Sequence, residues 1–295
     1  MEDTNAESTV PVSGWLRLRA SAVHLYTASG AVLTLLILVA AYNGQAVAAL
    51  WLILATLIID STDGLLARRF RVKELLPSFD GGLLDNIVDY MTYVLAPVLL
   101  LWSAGYLPGG AFGVALAAVP ILASSYQFCR VDAKTGDDAK TDHFFLGFPS
   151  YWNIGAFYVI VFDLGAATVG AILLVCSLLV FVPVRYVYPS RTRAFRKLTL
   201  ALTSLWLLSY VAILVQMPDS DPILRTLSVL YLVYYFGVSF YISWKMFKVR
   251  RMAQEATLQP ERKAVTEKRS VAQVRARPVV LLSRTDRKRV RASPA

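Results

Sequence analysis

The sequence predicts an all-α protein that crosses a membrane about eight times, with both termini in the cytoplasm. Three observations predict it. Hydrophobic residues make up 56% of the 295-residue chain and charged residues 17%, where a water-soluble domain carries about 25% charged residues. The apolar residues are gathered into uncharged runs long enough for a membrane helix, which needs about 20 residues. The basic residues fall almost entirely into alternate connections between those runs. Together these exclude an ordinary water-soluble globular enzyme.

In order, the runs cover roughly residues 24–43, 45–67, 82–104, 108–130, 150–167, 169–188, 197–217 and 222–247. Asn43-Gly44, Leu107-Pro108-Gly109-Gly110, Gly165 and Met217-Pro218 supply breaks between them. Residues 1–23 read as a cytoplasmic N-terminal segment, residues 24–249 as the membrane domain and residues 250–295 as a basic tail. The opening residues are polar and lack the apolar core of a cleavable signal peptide. Cys129 and Cys176 lie inside apolar runs and are expected as small buried hydrophobes, not as a disulfide.

Sidedness follows from charge. Of 30 Lys and Arg, two precede the first span, four lie between spans two and three, three around the 4/5 loop, five around the 6/7 loop and fifteen from Lys245 onward. Only Arg225 belongs to the other side. The positive-inside rule places the richer side in the cytoplasm. The tail holds thirteen basic and four acidic residues, so the chain's net +10 belongs almost wholly to it. With Pro260, Pro278 and Pro294 and few aromatics it reads as disordered, either solvated or drawn to anionic headgroups. No nucleic-acid motif accompanies the charge.

Four carboxylates stand where a bilayer disfavours them. Asp60 and Asp63 lie near the cytoplasmic end of span two, Asp85 and Asp89 near the cytoplasmic start of span three. At 3.6 residues per turn, spacings of three and four put each pair on one helix face, and neighbouring antiparallel helices can turn those faces together. Anions that close repel strongly, so either some are protonated or cations lie between them. Oxygen donors alone suit Mg²⁺ or Mn²⁺; without His or Cys, zinc is disfavoured. The alternative is a helix-end cluster neutralised by Arg68, Arg69, Arg71 and Lys73. Gly64, Ala67 and Gly81 flank the acids and lower the helix surface, either for a ligand or for helix packing. Arg68 lies one turn beyond, placed to meet a phosphate or to neutralise the acids.

The pattern Asp60-x2-Asp63-Gly64-x2-Ala67-Arg68, then Gly81-x3-Asp85-x3-Asp89, resembles the motif of the CDP-alcohol phosphotransferases at all eight fixed positions. Twelve residues separate Arg68 from Gly81, a longer gap than in much of the family, and in this the chain resembles the bacterial phosphatidylcholine synthases. The strings His24-Leu-Tyr-Thr27, Ser125–Arg130, Asp142–Asn153 and Arg185–Arg191 look like the same group. The resemblance covers about residues 15–250.

It implies two divalent ions, Mn²⁺ or Mg²⁺, held by Asp60, Asp63 and Asp85. Asp89 would be a further ligand or the base that takes the proton of the attacking hydroxyl. Asp63, Gly64, Ala67, Arg68 and Gly81 would line the site of the CDP-linked lipid. The implied reaction transfers phosphatidate from CDP-diacylglycerol to choline, with CMP leaving, at the inner face of a bacterial inner membrane and in a homodimer. Choline's quaternary ammonium asks for aromatic faces, and the cytoplasmic ends of spans four to six offer Tyr126, Tyr151, Trp152, Tyr186 and Tyr188, with Phe128, Phe144, Phe145 and Phe148 nearby. Aromatic residues also gather at membrane interfaces for other reasons. Arg130, Arg185 and Arg191 are candidates for lipid phosphate or plain interfacial anchors. His143 is expected to hold its acidic loop, and His24 has no evident partner. Other acceptors, namely serine, inositol or glycerol phosphate, stay open, as does a cation-coupled transporter using the acids as an ion site.

Overall fold

Two apolar runs at the start of the chain fold into a helical hairpin. In this computed structural model, which describes residues 14–131, 134–135, 143–189 and 191–275, helix α1 (Gly14–Tyr42) turns through Gly44 into α2 (Ala46–Arg69). Gly44 has φ +69°, which suits a residue without a Cβ. Helix α1 begins inside the segment expected to precede the first span, because Trp15-Leu16-Arg17-Leu18-Arg19 contains no helix breaker. A single helical turn, α3 (Val72–Leu75), follows α2, and Val72 is buried against Ala20 and Val23 of α1.

The third span is one helical run in three parts: α4 (Gly81–Asp89), a π-helical turn (Tyr90–Leu95) and α5 (Ala96–Ser103). Asp80 caps its start, with Oδ1 accepting the Leu83 N–H at 2.9 Å. Inside the π turn the Ala96 N–H donates to the carbonyl of Met91, five residues back. Pro97 has no N–H for the carbonyl of Tyr93, and the wider turn absorbs the missing donor. Such turns concentrate at functional sites. Helix α1 crosses α4 at Gly30, where a Cβ would come within 2.5 Å of Val88 Cγ1.

The remaining helices are α6 (Gly110–Cys129), α7 (Trp152–Val161), α8 (Ala166–Phe181), α9 (Arg196–Gln216) and α10 (Pro222–Arg275). Among the described residues six helices are long and apolar enough to cross a membrane: Gly14–Tyr42, Ala46–Arg69, Gly81–Ser103, Gly110–Cys129, Arg196–Gln216 and Pro222–Val249. The expected fifth and sixth spans form shorter apolar helices of 10 and 16 residues. Ser150 and Asp163, both at positive φ, turn the chain on either side of α7, and Pro183 holds Val182 extended at the end of α8. Large apolar side chains such as Leu25, Val32, Leu35, Leu178 and Leu208 stay exposed on the outer faces, as they do in a protein surrounded by lipid. The chain is a polytopic membrane protein.

An all-α expectation has no place for the small antiparallel sheet formed by β1 (Lys134–Thr135), β2 (Phe144–Leu146) and β3 (Arg185–Val187). Strands this short carry no readable periodicity. The sheet joins the segment after α6 to the segment after α8, with Phe145 opposite Tyr186, so both lie on one side of the bundle. The outer edge of β3 is closed by serines of α10. Ser239 Oγ accepts the Val187 N–H at 3.1 Å, while Ser243 Oγ accepts the Arg185 N–H at 2.7 Å and donates to the Arg185 carbonyl at 3.0 Å.

The chain divides into two units, residues 1–243 and 244–295. In the second, α10 continues to Arg275, through residues expected to be disordered. That stretch is rich in Ala, Gln, Glu, Lys and Arg, all strong helix formers, and Arg251 donates to Glu255 one turn on at 2.9 Å. The rest of the tail, residues 276–295, lies outside the described residues. Both cysteines are free; neither is fully buried, and Cys129, the last residue of α6, is exposed.

Candidate active site

Asp60 on α2 and Asp85 and Asp89 on α4 come together at the crossing of the two spans. Each offers an oxygen, and the three oxygens lie within 4.8 Å of one another. The i, i+4 spacing on α4 puts both of its acids on one face, and that face meets the last turns of α2. All three side chains are partly buried. Three carboxylates this close repel one another in a medium poorer than water, and a hard cation among them removes the repulsion. A set of carboxylate oxygens alone fits Mg²⁺ or Mn²⁺.

Asp63, expected as a fourth ligand, is not part of that triad. It is buried, and its Oδ2 accepts the hydroxyl of Thr27 on α1 at 2.9 Å. It stays one turn from Asp60 on the same helix. Next to Thr27, the Tyr26 hydroxyl shares a 2.9 Å hydrogen bond with Thr62, so α1 holds the acid-bearing turn of α2 from the side. Asp60 has a partner of its own: the Tyr93 hydroxyl donates to its Oδ2 at 2.6 Å. Tyr93 belongs to the π turn and is buried.

The small residues around the acids differ in what covers them. Gly64 has the Arg68 guanidinium folded over it, with Nη1 at 3.4 Å from the place of a Cβ. Ala67 packs on the apolar cluster of Ala20, Val23 and Val72. Gly81 was expected to leave room for a ligand; instead the His24 imidazole fills the space, at 2.7 Å from the place of a Cβ. His24, expected to have no partner, also lies against Phe79, with ring centres 4.3 Å apart and planes tilted by 40°. Arg71, one of the cations expected to neutralise the acids, pairs with Glu74.

The structure separates the five candidate aromatics. Tyr151 lies beside Tyr93, with ring centres 6.0 Å apart, and Phe145 links it to Tyr188 at 6.2 and 4.7 Å. These rings adjoin the acid cluster through Tyr93. Trp152 is buried, with Nε1 donating to Ser124 Oγ at 2.8 Å and its ring against Phe148. Tyr186 is fully buried between Phe148, Phe236 and Phe240. Tyr126 stands half exposed against Phe181. Trp152 and Tyr186 thus lie in the packed interior and Tyr126 at the surface. Of the candidate arginines, Arg130 lies over Tyr126 at 5.8 Å and Arg191 over Tyr188 at 5.3 Å, while Arg185 is held in β3. The His143 carbonyl accepts the Thr192 hydroxyl, which ties its loop to the segment after β3; the acids of that loop lie outside the described residues.

Three residues of this neighbourhood escape a reading of the sequence: Thr27, Tyr93 and Tyr235. Thr27 sits in the His24–Thr27 string and Tyr93 follows Asp85 and Asp89 at the same four-residue interval, so both left a faint signal. Tyr235 comes from α10, with its ring 6.1 Å from Tyr151; nothing local in the sequence joins them.

A family model described as CDP-alcohol phosphatidyltransferase matches residues 23–183. Proteins named phosphatidylcholine synthase are similar over most of their length. One from Legionella bozemanae is 44% identical over 211 residues, covering 69% of this chain and 94% of its own. Another from Legionella pneumophila is 41% identical over 236 residues, 77% of this chain and 90% of its own. A third, from Pseudomonas aeruginosa, is 39% identical over 223 residues, 75% and 91%.

Proposed function

The chain belongs to the CDP-alcohol phosphatidyltransferase family, and from that premise we propose that it transfers the phosphatidyl group of CDP-diacylglycerol to choline, giving phosphatidylcholine and CMP. One observation carries the reading: α2 and α4 gather the oxygens of Asp60, Asp85 and Asp89 within 4.8 Å. Relatives at 44% and 41% identity named phosphatidylcholine synthase support choline as the acceptor. The family is one of transferases, which leaves the transporter reading without support.

Asp60 and Asp85, with Asp63 beside them, would hold Mg²⁺ or Mn²⁺, two ions in the full site. When bound, such ions offset charge on the phosphoryl oxygens and on the departing CMP. Asp89 takes the proton of the choline hydroxyl. The freed oxygen attacks the phosphorus that carries diacylglycerol, the bond from that phosphorus to CMP breaks, and solvent later receives the proton from Asp89. Tyr93 holds Asp60 and Thr27 holds Asp63, so neither carboxylate has to be ordered when substrate arrives. Arg68, lying over Gly64, is assigned to the pyrophosphate and Gly64 to the nucleotide side of the site, while Ala67 and Gly81, covered by the α1 cluster and by His24, would border it.

The membrane body would cross the bilayer eight times, α7 and α8 being completed by the residues that flank them, with both termini and the acids at the cytoplasmic face of a bacterial inner membrane. The one-sided distribution of Lys and Arg supports this sidedness, as does the pairing of β2 with β3, which needs both their segments on one side. A homodimer rests on the family resemblance, and cross-linking in membranes tests it.

Purified protein given CDP-diacylglycerol, choline and Mn²⁺ is expected to release CMP and form phosphatidylcholine in equal amounts. CMP release only with serine, inositol or glycerol phosphate would keep the chemistry and overturn the acceptor. No CMP with any of these alcohols would overturn the whole assignment.

A further inference from the structure

Tyr151 is the meeting point of rings from three separate parts of the chain. Tyr93 comes from the π turn, Phe145 from β2 and Tyr235 from α10; their ring centres lie 6.0, 6.2 and 6.1 Å from that of Tyr151, at interplanar angles of 41°, 78° and 52°. None of the three lies flat on it. Rings from three elements thus surround Tyr151, and part of this group is open to the outside. Phe145, Tyr151 and Tyr188 keep partial exposure, although Trp152 and Tyr186 next to them are 3% and 0% exposed.

Two hydroxyls of this group already have acceptors for their protons. The Tyr93 hydroxyl donates to Asp60 and the Tyr235 hydroxyl to the Val187 carbonyl at 3.1 Å. What the group offers a guest is chiefly ring faces, with the Asp60 carboxylate at the far end of the Tyr93 ring that stands beside Tyr151. A primary ammonium brings N–H groups that need acceptors. A quaternary ammonium brings none, and it is bound by ring faces in a negative field. Choline's hydroxyl lies a short ethylene link from its nitrogen, so its two ends require an ammonium site directly beside the carboxylates. Tyr93, with its hydroxyl on Asp60 and its ring beside Tyr151, joins the two places.

We propose that Tyr151, with Tyr93, Phe145, Tyr188 and Tyr235, forms the subsite for the quaternary ammonium of the acceptor and sets the preference for choline over primary amino alcohols. The inference rests on the choline-transfer reading above. Tyr188 already carries the Arg191 guanidinium at 5.3 Å, which makes Tyr151 the better position to test.

The experiment compares the full chain with Tyr151→Leu and Tyr151→Phe in detergent with Mn²⁺, measuring KM for choline and for CDP-diacylglycerol separately. A cation–π contact of about 1–2 kcal/mol converts to a roughly 5- to 30-fold rise in choline KM for Tyr151→Leu, with the lipid KM within about twofold. Tyr151→Phe keeps the ring and is expected to show a rise several-fold smaller. Tetramethylammonium should compete with choline in the wild type, and its inhibition constant should rise in Tyr151→Leu by the same factor as the choline KM. An unchanged choline KM in Tyr151→Leu overturns the proposal, as does an equal rise in Tyr151→Phe or a parallel rise in both KM values. If Tyr151→Leu fails to fold, Phe145→Leu is read by the same criteria. Wild-type protein that makes no phosphatidylcholine would sink the underlying function instead, so the two failures are distinguishable.

Discussion

Tyr93 gives its hydroxyl proton to Asp60 across 2.6 Å, and this contact separates a carboxylate that is merely near a cation from one that is aimed at it. Groups that orient metal ligands affect metal affinity by about 10- to 100-fold when removed. Tyr93→Phe is therefore expected to weaken Mn²⁺ binding by about tenfold or more, read as free Mn²⁺ by electron paramagnetic resonance; unchanged binding would reduce Tyr93 to packing. Asp89→Asn keeps the shape of the side chain but cannot take a proton. It is expected to lower turnover by about a hundredfold or more while binding of CDP-diacylglycerol survives, and retained turnover would remove the base role. At this scale the acids were legible because each pair is local to one helix. Asp63 shows the limit: its spacing matched, but its hydrogen bond to Thr27 at 2.9 Å depends on where α1 packs.

The third span shows how an element aims several residues at once. Its α4 part carries Asp85 and Asp89, the π turn carries Tyr93, and α1 reaches α4 closely because Gly30 has no side chain. A Cβ at Gly30 would meet Val88 Cγ1 at 2.5 Å, and a β-branched residue in a helix has little freedom to rotate away. Gly30→Ala is expected to destabilise the protein by about 1–3 kcal/mol and to lower turnover by displacing the acids; a thermal midpoint equal to wild type in detergent would show that Val88 yields. Hydropathy marks this span as an uninterrupted helix and says nothing of the π turn, because side-chain apolarity does not report which carbonyl lacks a donor. Pro97 is the trace of it in the sequence. The sheet was hidden for a related reason: β3 is held by Ser239 and Ser243, more than fifty residues away.

For the whole molecule, sidedness decides whether the acids meet a cytoplasmic nucleotide-lipid. Cys129 ends α6 exposed and Cys176 lies partly buried within α8, so the native thiols report on it. A membrane-impermeant maleimide is expected to modify Cys129 in inside-out vesicles and not in right-side-out ones, with Cys176 spared in both. Labelling of Cys129 from the outer face would invert the proposed topology. The distribution of Lys and Arg made this expectation available before any coordinates, since charge is excluded from the bilayer and retained on one side whatever the helices do inside it.

The sequence by itself determined the membrane class, the sidedness expected of it and the spacing that puts Asp60 with Asp63, and Asp85 with Asp89, on one helix face each. Each of these follows from composition or from neighbours within one helix. Only the tertiary structure decided that Asp63 turns to Thr27, that His24 lies over Gly81 and that Tyr151 rather than Tyr126, Trp152 or Tyr186 stands next to the acids. Those outcomes depend on which helix faces meet, and a contact between residues far apart in the chain leaves no periodic trace in either of them.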